Sequence, residues 1–274
     1  MNLLDFNGQL IDGKKLADIQ YRDKIIKGCR VLNSKIEESN FSKTKFLETI
    51  LKNVSVKKVN FDHCKFESDE MEYVVEFEKC SLRGANVKYI AFKDSIFHEC
   101  EMEKFKISYG VFRQCDIADN NMKEFVFDES DIWDKKLAFN DLRGAKLLGS
   151  GFNYLEVEEN DFSKSFMDGH NWVSCKCNKD NFSDATISNV CFDNNLCNKC
   201  NFNCAFIKES YFDDSRFTEC TFKNTKMEDT NFTNCKFEDI DLTSTVYKNV
   251  NFENCVFQNV MLTEEQKHEW RINV

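Results

Sequence analysis

Cys197, Cys200 and Cys204 stand in a CxxCxxxC string, a spacing that invites zinc, and Cys175 and Cys177 form a second near pair. The four histidines, His63, His98, His170 and His268, sit in no HExxH or triad-like setting, and the GxGxxG and GxxxxGKS/T strings are missing. Aspartate and glutamate pairs are plentiful, yet paired carboxylates do acid–base work only where a cleft shifts their pKa values. Whether any of these groups converge depends on the elements that carry them.

Those elements are set by a period of five. From Phe77 to Leu262 every fifth residue is apolar, through Phe112, Phe162, Trp172, Phe222 and Phe252. No polar residue interrupts the run, although hydrophobic residues make up only 42% of the chain, so the period is structural. Upstream the same spacing continues one residue out of phase from Val31 to Met71, and more loosely back to Phe6. Neither the helical period of 3.6 nor the strand period of 2 produces it. Two residues before each central position the chain favours small side chains such as Cys80, Ala85, Ser95, Cys100, Ala205 and Thr225. A large residue alternating with a small one suits the inner wall of a narrow closed tube. The flanking positions are rich in Asn, Asp, Lys, Glu, Ser and Thr, as in CNFNC and TNFTN; these predict tight corners in a chain of 274 residues that has no proline.

On this repeat, best matched from Phe61 to Leu262, the sequence resembles the pentapeptide repeat proteins. Their pattern is a small residue, Asp or Asn, Leu or Phe, a polar residue, then any residue. The resemblance implies an all-β fold, a right-handed quadrilateral β-helix with four pentapeptides per coil, about 13 coils here and a short C-terminal helix. Central and minus-two side chains point inward. The expected organisation is an N-terminal cap with irregular first repeats over 1–28, the β-helix over 29–262 with a phase break at 67–76, and a capping or dimerisation helix over 263–274.

A coil of twenty residues sorts the cysteines. Cys80, Cys100, Cys200 and Cys220 fall on one face and Cys115, Cys175, Cys235 and Cys255 on another, which predicts two columns of stacked thiols. In this lattice Cys197 and Cys200 point inward from adjacent sides while Cys204 points elsewhere, so the thiols act as small hydrophobes. His170 takes an inward position and is read as packed. No catalytic, cofactor-binding or metal-binding residue is assigned, and the reading is non-enzymatic.

The single phase shift lies in FESDEMEYVVEF, between Phe66 and Phe77, whose centres are eleven apart. It is either a β-bulge or a functional protrusion. The segment Cys64 to Phe77 resembles the first projecting loop of the quinolone-resistance (Qnr-type) branch. That likeness implies binding to bacterial type II topoisomerases, DNA gyrase and topoisomerase IV, as an acidic rod that mimics duplex DNA, often as a dimer. The partner-binding residues expected on this view are Ser68, Asp69, Glu70, Met71, Glu72 and Tyr73 of the segment, with Asp193, Asp213 and Glu253 on one acidic face. The alternative is a general protein–protein interaction scaffold with a partner unrelated to DNA.

After Leu262, Thr263 with Glu264 and Glu265 predicts a capped helix. Leu262, Trp270, Ile272 and Val274 either cover the open core or pair two chains end to end. The net charge of −10 is uneven, with 12 Lys and Arg against 7 Asp and Glu in residues 1–60 and 25 against 40 in residues 61–274. The acidic excess disfavours direct nucleic-acid binding. No basic leader and no apolar stretch long enough for a membrane span is seen, so a cytoplasmic location with no membrane is expected.

Overall fold

The computed structural model describes residues 5–271, and the side chains of all of these except Asp69, Glu70 and Met71. It divides into two compact units, Met1–Lys136 and Leu137–Val274. Both are parallel β-solenoids, with about 12 turns in all, close to the ~13 the repeat predicts.

In the second unit each coil lies in register on the coil twenty residues later. Phe192 pairs with Phe212, Phe212 with Phe232, and Phe232 with Phe252 on one side. Ile187, Ile207, Met227 and Tyr247 align on a second side, and Cys197, Phe217, Phe237 and Phe257 on a third. The fourth side pairs through isolated bridges, Asp161 to Asn181, Asn181 to Asn201 and Asn201 to Thr221, and at the last coil through Asp241 and Met261 within longer strands. Beneath them Phe162, Phe182, Phe202 and Phe222 stack at centroid spacings of 5.1, 4.9 and 5.0 Å, with ring planes within a few degrees of parallel. Burying so many aromatic faces in one column is the main stabilising term of the interior.

The first unit follows the same rule. Ile11 pairs with Val31 and Val31 with Leu51, while Ile26, Phe46 and Phe66 stack on the adjacent face. Strands Leu10–Asp12, Lys15–Ala17 and Ile25–Lys27 already pair in this register, so the regular coil begins well before residue 29.

The corners are made differently from the sequence expectation. The chain turns at the residue two after each centre, which takes left-handed backbone angles: Asn224 (φ 56°), Asp229 (φ 49°), Asn234 (φ 54°) and their equivalents every five residues. Left-handed geometry costs a non-glycine residue about 1–2 kcal/mol, least for Asn and Asp. It is held by an inter-coil bond, as where the Asn234 N–H donates to the Glu253 carbonyl at 2.8 Å. The Asn residues just before the centres do something else. On the bridging side of the second unit, Asn181 Nδ2 donates to Asp161 Oδ1 and Asn201 Nδ2 to Asn181 Oδ1, both at 2.9 Å, a ladder climbing the outside of the coils.

Inside, the minus-two residues tie coils together as well as filling space. The Thr225 hydroxyl donates to the Phe202 carbonyl (2.7 Å), Cys235 Sγ to Phe212 (3.1 Å) and Asn195 Nδ2 to Trp172 (2.9 Å), each reaching 23 residues back. The small-residue rule fails at Phe105 and Phe125, which are buried at minus-two positions and stack at 5.1 Å. Space is released nearby at Gly110, where a Cβ would stand 2.5 Å from Ile107 Cδ1.

The two thiol columns are also not continuous. Between Cys175 and Cys235 stand Asn195 and Ser215, and on the other face of the second unit Asn140, Asn160 and Asp180 precede Cys200 and Cys220; all of these interposed residues are buried. All fourteen cysteines are free thiols.

Candidate partner-binding surface

The phase break is a bulged strand rather than a projecting loop. Lys65–Glu78 runs without a turn, and between His63 and Lys79 none of the fully described residues takes the left-handed corner angle. Its register shows how one net residue is added. Phe66 faces Val87 and Met71 faces Ile90, so the strand carries two extra residues there. Lys52 then faces Val74 and Val54 faces Val75, which removes one. The central position therefore passes to Tyr73, opposite Phe92, and Met71 is not a centre.

This placement corrects the expected contact residues. Tyr73 is buried, its ring edge-on to Phe92 at 5.7 Å and its hydroxyl donating to the Thr49 carbonyl at 2.6 Å. Burial pushes its phenol above the ordinary range. Ser68 is also buried, so neither side chain can meet a partner. Glu72 is exposed and lies 3.8 Å from Lys93. The side chains of Asp69, Glu70 and Met71 lie outside the described residues.

The acidic face over the second unit is brought together. Strands Cys191–Asp193, Tyr211–Asp213, Asn231–Thr233 and Asn251–Glu253 pair in register, which aligns Asp193, Asp213, Thr233 and Glu253 in one column. Asp193 and Asp213 are direct neighbours, and among the described residues neither they nor Glu253 form an ion pair. Like charges directly opposite destabilise a sheet, so this pair is not there for the fold. Tyr211, in the same strand as Asp213, is 55% exposed.

Other acidic clusters are neutralised locally. Glu99 lies 3.4 Å from Lys79 and Glu101 3.0 Å from Arg83. The Asn121 amide and the Arg83 guanidinium hold the Glu101 carboxyl below its usual range. Glu159 meets Lys179 at 2.7 Å, and Asp161 lies 3.7 Å from Arg143.

At the C-terminal end Thr263 caps the helix Glu264–Glu269 with a reciprocal bond to Gln266. Gln266 is buried, and its Nε2 donates to the Leu242 carbonyl at 2.8 Å, standing in for the next coil. Trp270 closes over the core, 4.8 Å from Tyr247 and 4.7 Å from Phe252, and Leu262 is half-buried beside it. Ile272 and Val274 lie outside the described residues.

The groups that suggested chemistry do not converge on solvent. Cys197 and Cys200 are buried, whereas Cys204 is exposed on a left-handed corner (φ 58°). Burial pushes the Cys115 and Cys175 thiols up to about 12, which leaves them unreactive. His170 is wholly buried, edge-on to Phe152 at 4.6 Å, with both ring nitrogens unpartnered. Burial pushes its pKa down to about 3. Sequence reasoning missed Asp180, whose carboxyl burial raises well above its ordinary range. Its signal was an acidic residue at an inward minus-two position.

The sequence profile of the pentapeptide repeats matches residues 200–239, in eight copies. The register on either side of that stretch is the same. The coils of residues 200–239 are pentapeptide repeats.

Among solved structures, the pentapeptide repeat protein HetL, involved in heterocyst differentiation regulation in Nostoc sp. strain PCC 7120, is similar at 10% identity, 92% of this chain, 91% of that chain and a TM-score of 0.36. Full-length QnrB1, a plasmid-mediated fluoroquinolone resistance protein, is similar at 14% identity, covering 94% and 97%, with a TM-score of 0.24. The A-module of the Azotobacter vinelandii mannuronan C-5 epimerase AlgE6 is similar at 9% identity, covering 92% and 91%, with a TM-score of 0.41. The three differ from one another in what they do, and at such low identity none bears on what this chain does. No curated protein matches the sequence.

Proposed function

We propose that this pentapeptide repeat chain is a non-enzymatic binding scaffold that engages a protein partner through the outer face of its coils. The observation that carries the reading is the Asp193–Asp213 pair, aligned in register without countercharge. Two carboxylates one coil apart, about 4.8 Å, approach the spacing of successive phosphates on a nucleic-acid strand, about 3.4 Å along the axis. A partner that normally receives that pattern is therefore favoured.

The finer reading is a DNA-mimicking interaction with a type II topoisomerase, DNA gyrase, in the cytoplasm, giving protection against quinolones. It is supported by the acidic excess of residues 61–274 and by the Qnr-type resemblance. Ser68 and Tyr73 of the bulged strand do not contribute to it, since both are buried, whereas Glu72 is exposed. The test is a gyrase supercoiling assay with and without ciprofloxacin, using the parent protein and the Asp193→Asn, Asp213→Asn double variant. Protection at micromolar protein that is lost in the double variant supports the reading. Neither inhibition nor protection overturns the topoisomerase partner and leaves the general scaffold.

A homodimer through the C-terminal end is favoured by Val246, Val256 and Met261, which stay 59%, 55% and 58% exposed around the Trp270 cap. Light scattering at two concentrations checks it, and a monomer at both refutes it.

A further inference from the structure

The first unit carries a surface feature of its own. Tyr89 and Tyr109 stand on corners one coil apart, with rings stacked at 5.3 Å and an interplanar angle of 12°. Both take left-handed backbone angles, φ 57° and 54°. Elsewhere in this unit such corners are held by Gly, Asn, Asp, Gln, Glu, Lys and His. A bulky aromatic is the costlier choice there. Yet the two rings are 44% and 55% exposed, so burial does not repay the cost.

The rings form one wall of an open trough of about 470 Å³. Its floor is Ala91 and Val111, which pair directly across the coils, with the backbone of Gly110 behind them. Glu129 and Asp131 close one end. Glu72 lies in register beyond Ala91 at the other end. The charged groups lining the trough are therefore both carboxylates. Glu129 follows Tyr109 in the same column of corners, one coil on, and among the described residues it forms no ion pair.

We propose that this trough binds an arginine side chain presented by an extended segment of a protein partner. The face of Tyr109 turned away from Tyr89, on the Glu129 side, attracts a cation through its quadrupole, and a planar guanidinium also stacks on it. The apolar floor suits the methylene stem, which buries along such surfaces while the charged head stays at the rim. Glu129 supplies the charge-assisted hydrogen bonds that fix the head group. A neutral side chain gains only the floor contacts, and an anion meets carboxylates. The proposal rests on the scaffold reading but not on its topoisomerase partner or on the Asp193 face.

The test titrates the full chain with the blocked peptide Gly-Ser-Arg-Ser-Gly, and with the same peptide carrying citrulline, by ligand-observed NMR. Citrulline keeps the shape and removes the charge. The arginine peptide is expected to bind about two- to fivefold more tightly, the factor that one exposed cation–π contact contributes. Tyr109→Asn, which suits the left-handed corner better than tyrosine and so preserves the fold, should weaken arginine binding by a similar factor, as should Glu129→Gln. Asp213→Asn, in the other unit, should leave it unchanged, which separates the trough from general attraction to an acidic protein. Equal binding of the two peptides, no saturable binding of either, or unchanged binding by Tyr109→Asn overturns the proposal. None of these outcomes alters the gyrase assay, so the two readings fail separately.

Discussion

Asp180 accepts two hydrogen bonds from Asn160 through one oxygen, from the backbone N–H at 2.9 Å and from the side-chain amide at 3.0 Å, while its other oxygen, Oδ2, is buried without a partner. Asn195, an equivalent minus-two residue, uses both ends: Oδ1 accepts the Cys175 N–H and Nδ2 donates to the Trp172 carbonyl. The oxygen of Asp180 thus occupies a donor's place, and only its protonated form can donate.

Burial raises the Asp180 pKa in the folded state. A raised pKa means the associated stability is complete below the unfolded value, about 3.9, and is lost as pH rises through the folded value. Asp180→Asn restores a permanent donor. It should stabilise the protein by about 1–3 kcal/mol at pH 8, the typical cost of a buried unsatisfied polar group, and by less at pH 4. Thermal unfolding at the two pH values checks this; equal gains at both would count against it.

His170 works in the opposite direction. Its pKa falls to about 3 on burial, so its share of stability is complete above the unfolded value, about 6.5, and is lost as pH falls toward 3. Replacing it by leucine removes two unpartnered ring nitrogens and the proton-binding site. The acid limb of a stability profile between pH 6 and 4 should flatten in His170→Leu, by on the order of 3 kcal/mol at pH 4. An unchanged acid limb would place the acid sensitivity elsewhere.

Phe222 belongs to the stacked column of the bridging side and is 2% exposed. Phe222→Ala should destabilise by about 3–5 kcal/mol in a denaturant titration. A loss under about 1 kcal/mol is incompatible with a side chain packed this way.

At the C-terminal cap, Thr263→Ala removes one side of the reciprocal bond and should cost about 1 kcal/mol. Gln266→Ala should cost more, because it also strips the Leu242 carbonyl of its buried donor. Unfolding followed by tryptophan fluorescence reads both, and a smaller effect at Gln266 than at Thr263 would contradict the assigned role.

The sequence made the interior legible because one constraint repeats: a residue such as Phe222 has the same neighbours as Phe202, so a single rule covers both. It fails where two positions share the work. Phe105 and Phe125 break the small-residue rule where Gly110, also at a minus-two position, makes room for Ile107, and that exchange is visible only in three dimensions. Tyr73 displaced Met71 from the central column because the strand gains two residues and then loses one, whereas spacing reports only the net shift. Of the surface, the Asp193–Asp213 column followed from counting by twenty. The Tyr89–Tyr109 trough did not, since those tyrosines lie off the central positions and nothing in the spacing says which corners remain exposed.

The irregular strand Lys65–Glu78 has a consequence for folding. Coils with four near-identical apolar sides can slip past one another by a whole side, five residues, and still bury an apolar residue at every centre, so register is weakly specified by hydrophobicity alone. A strand with two residues too many on one stretch and one too few on the next fits Ile50–Lys57 and Asn86–Lys93 in a single alignment. It acts as a reading-frame mark for the first unit, and its removal would free that unit to misalign without exposing its core.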